Sequence, residues 1–65
     1  MNYSFIQGSY NSNPFTAQNT IYLIENEVEI NVSANTVIQI PSNCILRFKG
    51  DLVKATSTIN HAERQ

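Results

Sequence analysis

The sequence predicts an all-β fold made of short strands, and three observations support this. Polar and apolar residues alternate strictly from position 27 to position 32, which is the pattern of a half-buried strand. Ile and Val supply most of the apolar side chains, and Asn, Ser and Thr are abundant, a composition that suits strands and turns better than helices. Short segments rich in Asn, Pro and Ser separate the apolar runs, as turns do.

The strands are expected in a definite order. The segment TIYLI (20–24) is a short β-prone run, and EVEINV (27–32) turns its two glutamates to solvent. TVIQI (36–40) follows an SAN turn, and CILRFK (44–49) follows a PSN turn. The residues expected to face inward, in a core or an interface, are Val28, Ile30, Val32, Ile38, Ile40, Cys44, Leu46 and Phe48.

The turn before the last of these strands has a specific chemistry. Pro41 presets the φ angle of a turn, and Asn43 accepts the left-handed conformation that commonly closes one. Gly50 and Asp51 are expected to end the strand that follows. Its outward residues are Ile45, Arg47 and Lys49.

The central inward residues Ile30, Ile38 and Leu46 recur every eight positions, and two arrangements fit this spacing. In an antiparallel meander the two turns are hairpin loops with Asn35 and Asn43 in the left-handed position, and neighbouring strands pair. In a β-solenoid-like coil the turns are corners, and each strand pairs with coils above and below. Periodicity does not separate the two.

The chain is expected to have three parts. Residues 1–18 form an aromatic, Asn- and Ser-rich N-terminal arm that becomes ordered only against another surface. Residues 19–59 form a small all-β module whose last, weak strand is Thr56–Ile59, and residues 60–65 form a polar tail. The arm carries the large rings that we expect at an interface, Tyr3, Phe5, Tyr10 and Phe15.

A chain of 65 residues has room for one small domain. Domains of this size usually depend on disulfides, a metal or a partner subunit. Cys44 is the only cysteine and His61 the only histidine, so neither an internal disulfide nor a four-ligand zinc site is expected, and no cofactor is implied. We therefore expect self-association or docking on a larger assembly, with the inward faces covered mostly by other polypeptides.

Charge and hydropathy argue against two classes of partner. The net charge is −1 and the few Lys and Arg residues are scattered, whereas binding to nucleic-acid phosphates needs clustered cations. No apolar run approaches the roughly 20 residues needed to cross a bilayer. The N-terminal segment MNYSFIQGSYNSN lacks the features of a signal peptide, so we expect synthesis in the cytoplasm, with virion association as the route out.

No catalytic group is expected either. Cys44 fits the inward side of its strand as a small apolar residue. His61 lies in a polar tail. Glu27 and Glu29 share one strand face without an apolar pocket, which is the usual arrangement of a solvated face. The sequence therefore predicts a protein that is not an enzyme.

The stretch from Thr20 to Gly50 resembles a known family. A Thr-Ile-Tyr strand is followed, after an alternating strand and a turn, by an Ile-Pro-x-Asn corner that leads into Cys-x-Leu-x-Phe and a glycine. This pattern is similar to the opening coil of right-handed parallel β-helix proteins of the pectate-lyase-like superfamily, in the variants common in gut Bacteroidetes and their phages. The matching residues are Thr20, Ile21, Tyr22, Ile38, Ile40, Pro41, Asn43, Cys44, Leu46, Phe48 and Gly50.

What the resemblance implies is limited in two ways. Asp51 stands where the family has a second glycine. The catalytic residues of the family's polysaccharide-active enzymes lie on later coils, so the resemblance assigns no catalytic residue to this chain.

These observations lead to one hypothesis and two alternatives. The hypothesis is a non-enzymatic structural module, a phage virion or tail-spike-like β protein that works as a homo-oligomer, expected to be a trimer, or docked on a larger particle. The first alternative is a carbohydrate-binding or capping fragment of a secreted β-helix enzyme, with the aromatic arm contacting a glycan. The second is a small phage-type inhibitor that adds a strand to a host protein's sheet.

Overall fold

A computed structural model of the chain describes residues 1–48 and 52–55 and the backbone of residues 59–60. Every regular element in these residues is a β-strand, so the predicted all-β class is confirmed. The strands are β1 (Asn2–Phe5), β2 (Gly8–Tyr10), β3 (Thr20–Ile24), β4 (Val28–Ile30), β5 (Ile38–Gln39), β6 (Ile45–Phe48), β7 (Val53–Ala55) and β8 (Ile59–Asn60).

These strands form three small sheets with the orders β1–β3–β6, β2–β4–β7 and β5–β8. All pairs of described strands are parallel. The antiparallel meander is therefore not the arrangement that the described strands adopt. Consecutive strands never share a sheet, because a parallel neighbour can be reached only through a crossover of a dozen or more residues.

The chain visits the sheets in a repeated order. β1 and β2 lie in the first and second sheets. β3, β4 and β5 lie in the first, second and third sheets, and β6, β7 and β8 repeat that order. A strand pairs with one that comes between 18 residues later (Asn2 with Thr20) and 25 residues later (Val28 with Val53). The strands of the other sheets supply the crossover in each case.

The central strands agree with the sequence prediction. β3 has the predicted bounds, and β4, β5 and β6 lie inside the predicted segments 27–32, 36–40 and 44–49. The predicted alternation is confirmed, since Val28 and Ile30 are buried on either side of the exposed Glu29. β1, β2 and β7 were not predicted.

The missed strand β1 shows why the pattern failed at the start of the chain. Ser4 is half-buried, whereas its neighbours Tyr3 and Phe5 are exposed. In this strand the polar residue is the more buried one and the aromatic residues are exposed. A pattern of apolar inward positions therefore does not reveal the strand.

Several sequence predictions lie outside the described residues. The weak strand Thr56–Ile59 meets β8 only at Ile59, and residues 56–58 are not described. The same holds for Lys49, for the strand end at Gly50 and Asp51, and for the tail from His61 onwards.

The core is enclosed by the chain itself, and this overturns an expectation. Ile30 and Ile38 are 0% exposed and Leu46 is 1% exposed within the single chain. These residues lie on β4, β5 and β6, one in each of the three sheets, so they face one another across the interior. The prediction that other polypeptides must cover them was wrong, because three sheets facing a common interior provide the cover that a single sheet lacks.

The N-terminal arm belongs to the same core. Phe15 is buried and packs edge-to-face on Tyr22, with ring centroids 5.1 Å apart. The backbone N–H of Phe15 donates to Asn13 Oδ1 at 2.8 Å, and Asn13 Nδ2 donates to the carbonyl of Gln39 at 2.8 Å. The arm is therefore ordered against its own chain and not only against another surface.

The corner ahead of β6 is stacked on an equivalent corner ahead of β3. Asn19 and Asn43 both have positive φ angles, 55° and 59°. Asn43 Nδ2 donates to Asn19 Oδ1 at 2.8 Å, and the N–H of Asn19 donates to the carbonyl of Ser42 at 3.2 Å. The predicted left-handed conformation of Asn43 is confirmed, whereas Asn35 does not adopt one.

Candidate interaction surface

Among the described residues, Cys44, Glu27 and Glu29 are held in structural or solvated positions. Cys44 is buried, and its Sγ donates to the carbonyl of Ala17 at 3.2 Å. Glu27 lies 3.8 Å from Lys54 Nζ, with both side chains more than half exposed. Glu29 Oε1 accepts a hydrogen bond from Ser9 Oγ at 3.1 Å. Within residues 1–48 and 52–55, no group of three or more His, Cys, Asp and Glu side chains is placed to hold a metal ion.

The residues predicted for a core or interface separate into two groups. Ten of the twelve contribute to the core, either fully buried or packed against it at partial burial: Tyr10, Phe15, Val28, Ile30, Val32, Ile38, Ile40, Cys44, Leu46 and Phe48. The other two, Tyr3 and Phe5, are 62% and 54% exposed. Large exposed rings contribute to binding when they are gathered on one surface, so Tyr3 and Phe5 mark a candidate surface.

Tyr3 and Phe5 lie on the outer face of the first sheet. The register places Tyr3 beside Ile21 and Ile21 beside Ile45, and it places Phe5 beside Leu23 and Leu23 beside Arg47. Alternate residues of a strand share a face, so these two rows of three form one surface. We call it the outer face; it consists of Tyr3, Phe5, Ile21, Leu23, Ile45 and Arg47.

The centre of the outer face is sheltered by its margins. Ile21 is 6% exposed although it does not belong to the core cluster, because Tyr3 and Ile45 flank it in register on both sides. Leu23 and Ile45 are half-buried, and Arg47 is exposed. The face is thus apolar at its centre and carries one positive charge at one edge.

Sequence reasoning missed four members of this face, Ile21, Leu23, Ile45 and Arg47. Ile45 was expected on the outward side of its strand but was not linked to a site. In the run TIYLI both sides of the strand are apolar, so no alternation of polarity distinguishes inward from outward. The signal available in the sequence was a strand that is apolar on both faces, a pattern typical of strands that are covered on both sides.

Among the described strands, the outer side of β1 has no partner strand. The N–H groups of Asn2 and Ile6 donate to the carbonyls of Asn19 and Leu23, so even-numbered residues of β1 point towards β3. Since backbone groups alternate in direction along a strand, the N–H groups of Tyr3 and Phe5 point away from it. β1 is an edge strand among the described strands. Such an edge can accept another strand.

Two negative results complete the description. The described residues include no helix with the length and apolar character that a membrane crossing requires. Comparison of the chain with known protein families, with curated proteins and with solved structures gives no match.

Proposed function

We propose that the chain is a non-enzymatic structural module that works by assembly, as a homo-oligomer or docked on a larger particle such as a virion or tail spike. Its fold is a short right-handed β-solenoid, of the kind implied by the resemblance to the parallel β-helix proteins. Parallel pairing of strands 18 to 25 residues apart supports this fold. Parallel crossovers are right-handed in about 98% of cases, which supports the hand.

The open edge of β1 is the observation that carries the proposal. Solenoids bury their strand edges by adding units at their ends, and an uncovered end is a template for another strand. Here β1, an edge strand among the described strands, presents the outward N–H groups of Tyr3 and Phe5 beside two exposed rings. A further copy or a larger β-structured partner would extend the sheet at this position.

The closed core changes the reason for assembly. Because Ile30, Ile38 and Leu46 are covered within one chain, partners are not needed to bury the interior. Assembly would instead satisfy backbone groups at the edge of β1 and cover Tyr3 and Phe5. The proposed contacts are therefore the edge of β1 and the exposed rings of Tyr3 and Phe5.

The two alternatives have less support from the side chains. Of the four aromatic residues proposed to contact a glycan, Phe15 is in the core and Tyr10 is half-buried, so only Tyr3 and Phe5 offer exposed rings. An inhibitor acting by strand addition would use the same edge of β1. Its target would have to be a host protein, and no observation points to one.

Proline substitution at position 5 tests edge addition. Phe5→Pro removes an outward N–H and leaves the bonds between β1 and β3 intact, and edge strands tolerate proline in this orientation. Phe5→Ala removes the same ring but keeps the N–H. In sedimentation velocity we expect self-association of Phe5→Pro to be at least about tenfold weaker than that of Phe5→Ala, because a strand cannot pair where a donor is replaced by a proline ring.

Ser4→Pro is the matched control. The N–H of Ser4 points towards β3, so this substitution should destabilise the chain itself and lower its midpoint of thermal unfolding. Equal association of Phe5→Pro and Phe5→Ala would contradict edge addition. A wild-type chain that stays monomeric up to millimolar concentration would contradict the assembly function altogether.

A further inference from the structure

The outer face has a pattern that suits a second copy of the same face. Phe5 and Arg47 lie at the same level on the two outer strands of the sheet, with Leu23 between them. Strands are about 4.8 Å apart, so the ring and the guanidinium group are attached about 10 Å apart across the face. Arg47 is the only charged residue in the described strands of this sheet.

A twofold axis parallel to the strands would match this pattern with itself. When two such sheets face each other about that axis, β3 lies over β3, and β1 lies over β6 of the other copy. Phe5 of each copy then faces Arg47 of the other, and Tyr3 faces Ile45. Arginine over an aromatic ring is a favourable cation–π contact, and the symmetry forms it twice.

We propose that the outer face is a homodimer interface, in which two copies stack their first sheets face to face about this axis. Aligned sheets pack about 10 Å apart, which brings Ile21 and Leu23 of the two copies together at the centre. The interface would cover Tyr3 and Phe5, the two most exposed rings of the described residues. This inference rests on the proposed assembly function and names its partner and surface.

The dimer should be weak. The face is three strands wide, and its strands are four or five residues long, so it falls short of the roughly 800 Å² per partner of a standard interface. We expect a dissociation constant on the order of 10–100 µM. The contact is isologous and therefore closed, so this face joins two chains and no more.

Charge at position 5 provides the test, read by sedimentation equilibrium over a range of concentrations. Phe5→Arg would set arginine against Arg47 of the other copy, and we expect the dissociation constant to rise at least about a hundredfold, because symmetry applies the change twice. Phe5→Glu would set glutamate against the same arginine, and the dissociation constant of this variant should stay within about tenfold of wild type. Phe5→Arg combined with Arg47→Glu restores opposite charges and should recover the dimer.

Val37→Arg is the control for added charge. Val37 is 52% exposed and lies outside the outer face, so this substitution should leave the dimer unchanged. Equal weakening by Phe5→Arg and Phe5→Glu, or no recovery in the double variant, would overturn the inference. So would a mass that levels off at three chains, or growth without limit that Phe5→Arg leaves unchanged; the second result would leave edge addition, and with it the proposed function, standing. Circular dichroism of each variant shows that the strands are retained.

Discussion

At the scale of single residues, asparagine determines how the chain turns its corners. A non-glycine residue with positive φ is uncommon, and asparagine is among the few that adopt this conformation readily. Asn19 and Asn43 do so at equivalent corners, and their side chains are joined by a hydrogen bond of 2.8 Å. Each asparagine thus satisfies a backbone requirement, and the two together link one pass of the chain to the next.

Substitution of Asn43 should separate the contribution of its left-handed conformation from that of its hydrogen bond to Asn19. Asn43→Ala loses the hydrogen bond and places a strained residue in the left-handed region, so we expect it to lower the free energy of unfolding by about 1–3 kcal/mol. Asn43→Gly loses only the hydrogen bond and should cost about 1 kcal/mol or less. Urea unfolding followed by circular dichroism measures both.

Asn35→Ala is the control for this pair. Asn35 is exposed and its φ is not positive, so the change should stay within about 0.5 kcal/mol. If alanine at position 43 were tolerated as well as glycine, the left-handed corner would not matter for stability.

At the scale of elements, the face of a strand decides whether its side chains join the core. β4 lies between β2 and β7, and its residues Val28 and Ile30 are 0% exposed. β1 lies at an edge, and its rings at Tyr3 and Phe5 face solvent. Inward positions therefore build the core, including Ile38 and Leu46 on strands at sheet edges, whereas outward positions of β1 leave two rings exposed.

Truncation of Ile30 should show how much an inward residue of β4 contributes to the free energy of unfolding. We expect Ile30→Val to lower the free energy of unfolding by about 0.5–1.5 kcal/mol and Ile30→Ala by about 2–5 kcal/mol. A domain of this size has only about 3–5 kcal/mol in total, so the alanine variant should be largely unfolded at room temperature. Far-UV circular dichroism and urea titration distinguish the two outcomes.

Val37→Ala is the matched truncation on the surface. Val37 is more than half exposed, and its shortening should change stability by no more than about 0.5 kcal/mol. Equal effects at positions 30 and 37 would mean that β4 does not hold the core in solution.

At the scale of the whole molecule, stability and assembly are separate properties. Three sheets close on one interior, so burial of Ile30, Ile38 and Leu46 does not require a second chain. In the described part of the chain, the outer face and the edge of β1 stay uncovered, as do other sheet edges such as that of β6. Association should then add to a fold that already exists.

This separation predicts how unfolding depends on concentration. Phe5→Pro removes both the edge donor and the ring of the outer face, so it should be monomeric and still fold cooperatively. Its thermal midpoint should stay constant over about a hundredfold range of chain concentration, since only a fold that binds a partner gains stability by mass action. A midpoint that rises with concentration would show that folding of this variant is still coupled to association.

Local patterns in the sequence predicted the middle of the chain well. Alternation placed Val28, Ile30 and Ile38 in the interior, and the residue type predicted the corner at Asn43. Such features depend on neighbours within a few positions, which the sequence shows directly. The outer face was not predicted as a site, because its rows join residues such as Phe5, Leu23 and Arg47 that are about 20 positions apart.

The sequence by itself determined the all-β class, the inward side of the central strands and the left-handed corner. Only the tertiary structure decided that strands pair in parallel, that the core closes within one chain, and that Tyr3 and Phe5 stay outside it. The physical reason is that polarity along a strand reports which side avoids water, whereas pairing direction and coverage depend on where distant segments arrive. A repeat of apolar positions is the same whether the next strand lies beside the last one or a full pass of the chain away.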